Sequence, residues 1–323
     1  MRRFRVWIFG TLLILLFCEI WLGFPIKLEN KEPEAPPSSG AGFGDSKQQM
    51  KGHGVHLVES RSGDRDWELF ADSAEGTESQ AKWRLSKVRV QFYSKSQRQF
   101  TVTGDEAEMD TKTRDMKIEG HVKTVSENGY QFESPLLLYM AKQRILQSPG
   151  PVKMAGPADQ QGPPMTLSSN YMRGYVDSSE VQLEGNVVAE KKFKNSHHFS
   201  IRSQKAQFSG KNYQANFREQ VVIEYDSMKL EGPEASFQYK SQASLLESVQ
   251  LKGGVRISDV DKYATSDLVR IEPETNRIVL SGKPRVVQDQ DEIFGDQIVF
   301  IDGGKKVKVE KMRARVEKSP GEQ

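Results

Sequence analysis

Along most of the chain apolar and polar residues alternate with a period of two, and eight times the alternation slips in the same way. Each time an apolar residue is followed by a spacer, a small residue, a residue of the Asp, Asn, Gln or Pro type, another spacer and a second apolar residue. The copies begin at Leu69, Val102, Phe132, Leu167, Ile201, Leu230, Ala264 and Ile293. Their small residues, Ala71, Gly104, Ser134, Ser169, Ser203, Gly232, Ser266 and Gly295, stand 29 to 35 residues apart. The second apolar positions are Ala74, Ala107, Leu137, Met172, Ala206, Ala235, Val269 and Ile298.

The phase of the slip carries the structural meaning. Inward positions of a strand recur every second residue, yet three residues separate the small position from the second apolar one. The strand must therefore bend or bulge there, and a small residue beside Asp, Asn or Pro is what a bend tolerates. Most units carry a second signature about fifteen residues on, a β-rich run around a glycine, as at Ile118 to Val122, Leu183 to Val187, Leu251 to Val255 and Leu280 to Val286. Polar turn residues such as Thr111 to Asp115 lie between, so each unit reads as strand, corner, strand, turn, strand. A helix is the competing reading for Trp67 to Gly76 alone, but Pro135 and Pro233 fill the slot that Asp72 occupies and exclude it. Stacked units lay apolar groups on two facing walls. The expected lining is Leu69, Val102, Phe132, Leu167, Ile201 and Leu230 on one wall and Ala107, Leu137, Met172, Ala206 and Ala235 on the other. For each of these, plain core packing and ligand contact stand as alternatives.

Composition agrees with a thin apolar seam: only 36% of the 323 residues are apolar. Charge is balanced, 46 basic against 44 acidic residues, so net charge gives no support for a nucleic-acid surface. The single cysteine, Cys18, excludes an intrachain disulfide and any CxxC metal or redox site.

The one dense apolar block runs from Val6 to Phe24, interrupted only by Glu19. As a helix rising ~1.5 Å per residue it nearly spans a ~30 Å hydrocarbon core. Arg2, Arg3 and Arg5 precede it, which places the N-terminus in the cytoplasm and the rest outside. Val6, Trp7, Leu12, Leu16, Trp21 and Phe24 are the expected anchor residues, with the two tryptophans at the interfaces. The rivals are a cleaved signal peptide, which lacks its small-residue pair, and lipidation of Cys18, which has the bulky Phe17 before it. Residues 28–52, with Pro33, Pro36, Pro37, Gly40, Gly42 and Gly44, read as a flexible linker. The expected organisation is therefore 1–27 tail and anchor, 28–52 linker, 53–190 and 191–316 β-repeat regions, and 317–323 a disordered tail.

Catalytic chemistry is not written in the chain. Asp105, Glu106, Glu108 and Asp110 resemble paired carboxylates, but Asp105 is the turn slot of the repeat and its neighbours belong to a solvated face. No nucleophile stands beside His121, His197 or His198 in a recognisable motif, and His53 with His56 lacks a third metal ligand. No cofactor and no metal is expected. The basic run Lys305, Lys306, Lys308, Lys311, Arg313, Arg315 reads as an edge strand guarded by charge or as a contact to anionic groups.

A cytoplasmic tail, one membrane helix, a linker and then repeats written like Phe100 to Met109 followed by Met116 to Val122 resemble the LptC family, the periplasmic component of lipopolysaccharide export. The resemblance runs from residue 1 to about 190 and includes Trp67 to Ala74. From about 191 to 316, Ile201 to Phe208 and Ile293 to Phe300 look equally like the OstA-like repeats of the bridge protein LptA. The chain exceeds a usual LptC by about half.

The resemblance implies an elongated, open all-β jellyroll behind a single-pass inner-membrane helix, with the bulk of the chain periplasmic. It implies lipopolysaccharide as cargo, an export ABC transporter as donor and an LptA-like bridge protein joined by edge-strand addition as acceptor, with no enzymatic activity. Moving a buried CH₂ from membrane to water costs about 0.8 kcal/mol, so a ~12-carbon acyl chain costs on the order of 10 kcal/mol and needs a dry path. An anchored structural or adhesin-like β-repeat protein without lipid cargo is the alternative, and a polysaccharide-acting enzyme on a β-solenoid a more distant one.

Overall fold

The computed structural model describes residues 49–77, 81–127, 129–156, 162–194, 196–210, 212–240, 246–260, 262–288, 291–301, 306–311 and 313–315. The expected anchor and most of the linker lie outside the described residues. Among the described residues every regular element is a β-strand and every pairing is antiparallel, within one sheet. The sheet opens with β1 (Gln49–Arg61), β2 (Asp64–Thr77), β3 (Lys82–Ser94), β4 (Gln97–Asp110), β5 (Met116–Ser126) and β6 (Gln131–Met140). Short strands follow in two pairs, β7 (Ile145–Ser148) with β8 (Val152–Ala155) and β9 (Thr166–Ser169) with β10 (Tyr171–Tyr175). Long strands resume with β11 (Glu180–Lys192), β12 (His198–Ser209), β13 (Gln214–Tyr225), β14 (Met228–Tyr239), β15 (Leu246–Asp259) and β16 (Lys262–Glu272). Three more short pairs end it: β17 (Arg277–Ser281) with β18 (Arg285–Gln288), β19 (Asp291–Phe294) with β20 (Gln297–Ile301), and β21 (Lys306–Glu310) with β22 (Arg313–Arg315).

Each short pair is one strand broken at its corner, so the chain makes 17 bent passes, each hydrogen-bonded to the next. At a spacing of ~4.8 Å per strand the meander extends roughly 75 Å. The first strand begins at Gln49, which pairs with Thr77, so the linker ends earlier than the expected 52. The expected boundary at 190/191 falls inside β11, which pairs with β12 from Glu180 to Lys192, and the sheet runs through it unbroken.

The predicted corners coincide with the register breaks. Pairing skips from Thr103 to Glu106, from Arg202 to Lys205 and from Glu231 to Glu234, and the strands themselves stop at Asn170 and around Gly295 and Asp296. The glycine signature, however, is not a straight strand as expected. It is the corner of the neighbouring pass: Gly120 and His121 adopt φ of 75° and 45°, Gly185 and Asn186 77° and 49°, and Gly253 and Gly254 94° and 88°. Every pass thus bends, and the unit is two bent strands joined by a turn. The two corner types lock together. A Cβ on Gly120 would meet Asp105 Oδ2 at 2.5 Å, and a Cβ on Gly104 would meet Ile118 Cγ2 at 2.5 Å. At other units a side-chain bond does the same work, between Gln204 and Gln220 at 3.3 Å and between Lys311 and Asp296 at 2.6 Å.

The line of corners is the fold's spine, and the two halves of each bent strand form two walls. Their inner faces share one continuous apolar cluster from Trp67 to Ile298. Burying each such side chain contributes about 1.5–3 kcal/mol, which stabilises the bent meander without a thick core.

Candidate functional site

Register carries the repeat from strand to strand as two rows. On the first wall Leu69 pairs with Val90, then Val102, Thr124, Phe132, Met154 and Leu167. The row continues through Ala189, Ile201, Ile223, Leu230, Ile257, Ala264, Val286 and Ile293. On the second wall Ala74 leads through Leu85, Ala107 and Ile118 to Leu137. Past Ser148 it resumes as Met172, Leu183, Ala206, Phe217, Ala235, Leu251, Val269, Leu280 and Ile298.

Both apolar positions of all eight sequence repeats fall in these rows, one position per wall. The alternate members, such as Val90, Met154, Ile223, Leu85 and Phe217, escaped the sequence reading because their passes bend at residues without a common signature. Lys87, Glu219 and Gln220 hold left-handed conformations there with no glycine to mark them. Other alternate members do have a signal, since Ile118, Leu183, Leu251 and Leu280 are the first apolar residues of the glycine runs.

All eleven expected lining residues, Leu69, Val102, Ala107, Phe132, Leu137, Leu167, Met172, Ile201, Ala206, Leu230 and Ala235, are buried between the walls. The walls close on one another here, so the expected open cleft is a packed interior in this state. Polar groups enter the rows at Thr124 and Ser148, both buried. Toward the last passes the first row loosens, and Ile257, Val286 and Ile293 are only half-buried.

Opposite the spine, the hairpin turns form two rims, and in the first half they meet. Arg144, in the turn after β6 on the second wall, is 7% exposed and forms an ion pair across the seam with Asp66 of β2, 3% exposed. It also donates to the Tyr93 carbonyl on the first wall and to Asp177 at 2.7 Å. Arg61 donates to the Ala141 carbonyl at 2.8 Å, Ser179 to Gln99 at 3.0 Å, and Arg114 pairs with Glu59 at 3.3 Å, each from one rim to the other. Beneath these contacts Phe92 of the first wall packs on Tyr139 of the second, ring centroids 4.6 Å apart. Burial pushes the Tyr139 hydroxyl well above the usual phenol range. Among the described residues neither that hydroxyl nor Trp67 Nε1 has a hydrogen-bond partner, and each such group costs on the order of 1–3 kcal/mol. In the second half the rim contacts His197 with Asp226, Ser227 with Asp259, and Lys240 with Glu274 join turns of the same wall.

The remaining expectations are placed plainly. Asp105 is exposed and its Oδ2 lies 2.6 Å from His121 Nδ1, which raises the pKa of the imidazole. Glu108 pairs with Lys82, and Asp110 accepts from the Lys112 and Thr113 amides of its own turn. These acids therefore work as corner, ladder and turn groups. His56 stacks on Phe70 and meets Glu68 at 2.7 Å. No group of three His, Cys, Asp or Glu side chains suited to a metal gathers among the described residues. Lys306 and Lys308 lie on β21, in the last described pass.

Comparison with known proteins matches two separate stretches of the chain. Residues 12–162 match the model of the family described as lipopolysaccharide-assembly, LptC-related. Residues 200–302 match that of the LptA/(LptD N-terminal domain) LPS transport proteins. A search of curated proteins gives no match. Among solved structures the chain is similar to LptH, the LptA homologous periplasmic component of the lipopolysaccharide transport device of Pseudomonas aeruginosa. Identity is 17% and the TM-score 0.34, over 37% of this chain and 95% of that one. The chain is thus similar to the LptC-related lipopolysaccharide-assembly family over residues 12–162 and to the LptA/LptD N-terminal family over residues 200–302.

Proposed function

We propose that this protein is anchored in the inner membrane by Val6 to Phe24, receives lipopolysaccharide from an export ABC transporter and conducts its acyl chains between the two walls. Its bulk stands in the periplasm, and it hands the cargo to an LptA-like bridge protein joined at a free sheet edge. The single observation that carries this reading is the continuity of the two apolar rows through both family regions, from Leu69 to Ile293 and from Ala74 to Ile298. A row interrupted at the family boundary would suit two separate modules. An unbroken one suits a path.

The buried lining favours a second reading, an anchored structural β-repeat protein whose interior is only core. Ala206 distinguishes the two. It is 4% exposed and lies in the second row past the family boundary. In membranes reconstituted with transporter and lipopolysaccharide, Ala206→Asp is expected to stop transfer beyond the first half while the protein remains folded by circular dichroism. Undiminished transfer by the folded variant would reduce the second half to scaffold.

A further inference from the structure

Among the described residues, the rim contacts named above differ between the two halves. Past residue 190 the described rim contacts named above tie each wall to itself, whereas in the first half a buried arginine ties one wall to the other. Arg144 and Asp66 are 78 residues apart in sequence and come from opposite walls, so their ion pair exists only while the seam is shut. Parting it leaves the buried Asp66 with only the half-exposed Arg61 of its own rim, at 3.3 Å, as a counter-charge, so its rupture carries a local cost of opening. The opposing tendency lies directly beneath. Trp67 Nε1 on one wall and the Tyr139 hydroxyl on the other are buried without partners in the closed state and would regain water if the walls parted. A seam held by one buried ion pair over two unsatisfied donors is poised between shut and open.

We propose that the Arg144–Asp66 pair is a latch that gates the first half of the interior, and that admission of an acyl chain there requires the guanidinium to leave Asp66. This rests on the conduit reading for its cargo but not for its motion. Arg61 with the Ala141 carbonyl, Glu59 with Arg114, and Gln99 with Ser179 cross the same seam on either side of the latch and are weaker, more exposed ties. When the walls part, Arg144 stays with the β6 to β7 turn, where Asp177 of its own side holds it, and gives up the Tyr93 carbonyl together with Asp66.

The test uses the full chain with Cys18→Ser and a single reporter, Val90→Cys, in the first row at 0% exposure. Labelling by a water-soluble maleimide, without lipopolysaccharide, reads seam opening. Arg144→Met should accelerate labelling by on the order of 100-fold. The paired variant Asp66→Asn with Arg144→Met removes both charges. It should keep the fast labelling while regaining thermal stability, which guards against a single variant that fails to fold. A reporter at Leu251→Cys in the second half should label at an unchanged rate. Equal labelling at Val90→Cys with and without the latch would overturn the proposal, as would acceleration of both reporters together. A second arm joins Gln99→Cys to Ser179→Cys with a short bis-maleimide and asks whether a photo-crosslinker at Phe132 still captures lipopolysaccharide. Capture through the bolted seam overturns the latch. Loss of capture in the bolted form alone supports it, and no capture in either form sinks the conduit reading while the labelling arm still decides the latch.

Discussion

Gly104 and Gly232 occupy the same slot of the repeat, yet the corners around them differ enough to predict opposite effects of one added methyl group. A Cβ on Gly104 would lie 2.5 Å from Ile118 Cγ2 and 3.3 Å from the Glu119 carbonyl. Ile118 is fully buried and has no room to retreat. Such overpacking costs about 1–3 kcal/mol, against which the reduced entropy of the unfolded chain returns roughly 0.4–1 kcal/mol. Around Gly232 the nearest atoms would be Val255 Cγ2 at 3.7 Å and the Gly254 carbonyl at 4.0 Å, ordinary contacts. Only the unfolded-state gain then applies. Gly104→Ala should therefore be destabilised and Gly232→Ala slightly stabilised, a difference of about 2 kcal/mol or roughly 30-fold in the folding equilibrium. Urea titrations followed by far-ultraviolet circular dichroism read both midpoints against the unmodified chain. Equal midpoints, or Gly232→Ala falling below Gly104→Ala, would refute the claim that corner pairing between adjacent passes fixes the bend.

Other consequences are as direct. Leu137→Ala removes a fully buried side chain from the second row and should lower stability by about 2–5 kcal/mol in the same titration, and a loss under 1 kcal/mol would mean that the walls do not pack there. His121 titrates above its ordinary value because the Asp105 carboxylate meets its protonated ring. A raised folded-state pKa means that this tie contributes fully below pH ~6.5 and is lost as pH rises through the folded value. An NMR titration should find the His121 pKa lowered by Asp105→Asn, and an unchanged pKa would remove the corner tie. N-terminal sequencing of the membrane-extracted protein should read Arg2, Arg3 and Arg5, whereas a start near residue 25 would rule out an uncleaved anchor.

Much of this architecture was legible before any coordinates because bending disturbs the period-two code. The odd step between Gly104 and Ala107, or between Ser203 and Ala206, is a phase error only if the strand turns a corner, and it does at all eight copies. What stayed hidden has a physical reason as well. Lys87, Glu219 and Gln220 turn corners in conformations that glycine usually supplies, so composition does not betray them, and Leu85, Val90, Phe217 and Ile223 went unmarked. The Arg144–Asp66 contact was beyond reach for a different cause. Its partners are set by how far one wall is staggered against the other, and no local pattern records that stagger.

The central claim is that the interior, rather than the outer face, meets lipid. A photo-crosslinking residue placed in turn at Phe132 and Leu230, both buried in the first row, and at Thr101 and Thr103, which alternate to the outer face, tests it in membranes with active transporter and lipopolysaccharide. Lipopolysaccharide adducts at Phe132 and Leu230, dependent on ATP and absent from the threonines, are the predicted result. Adducts confined to Thr101 or Thr103 would contradict the account.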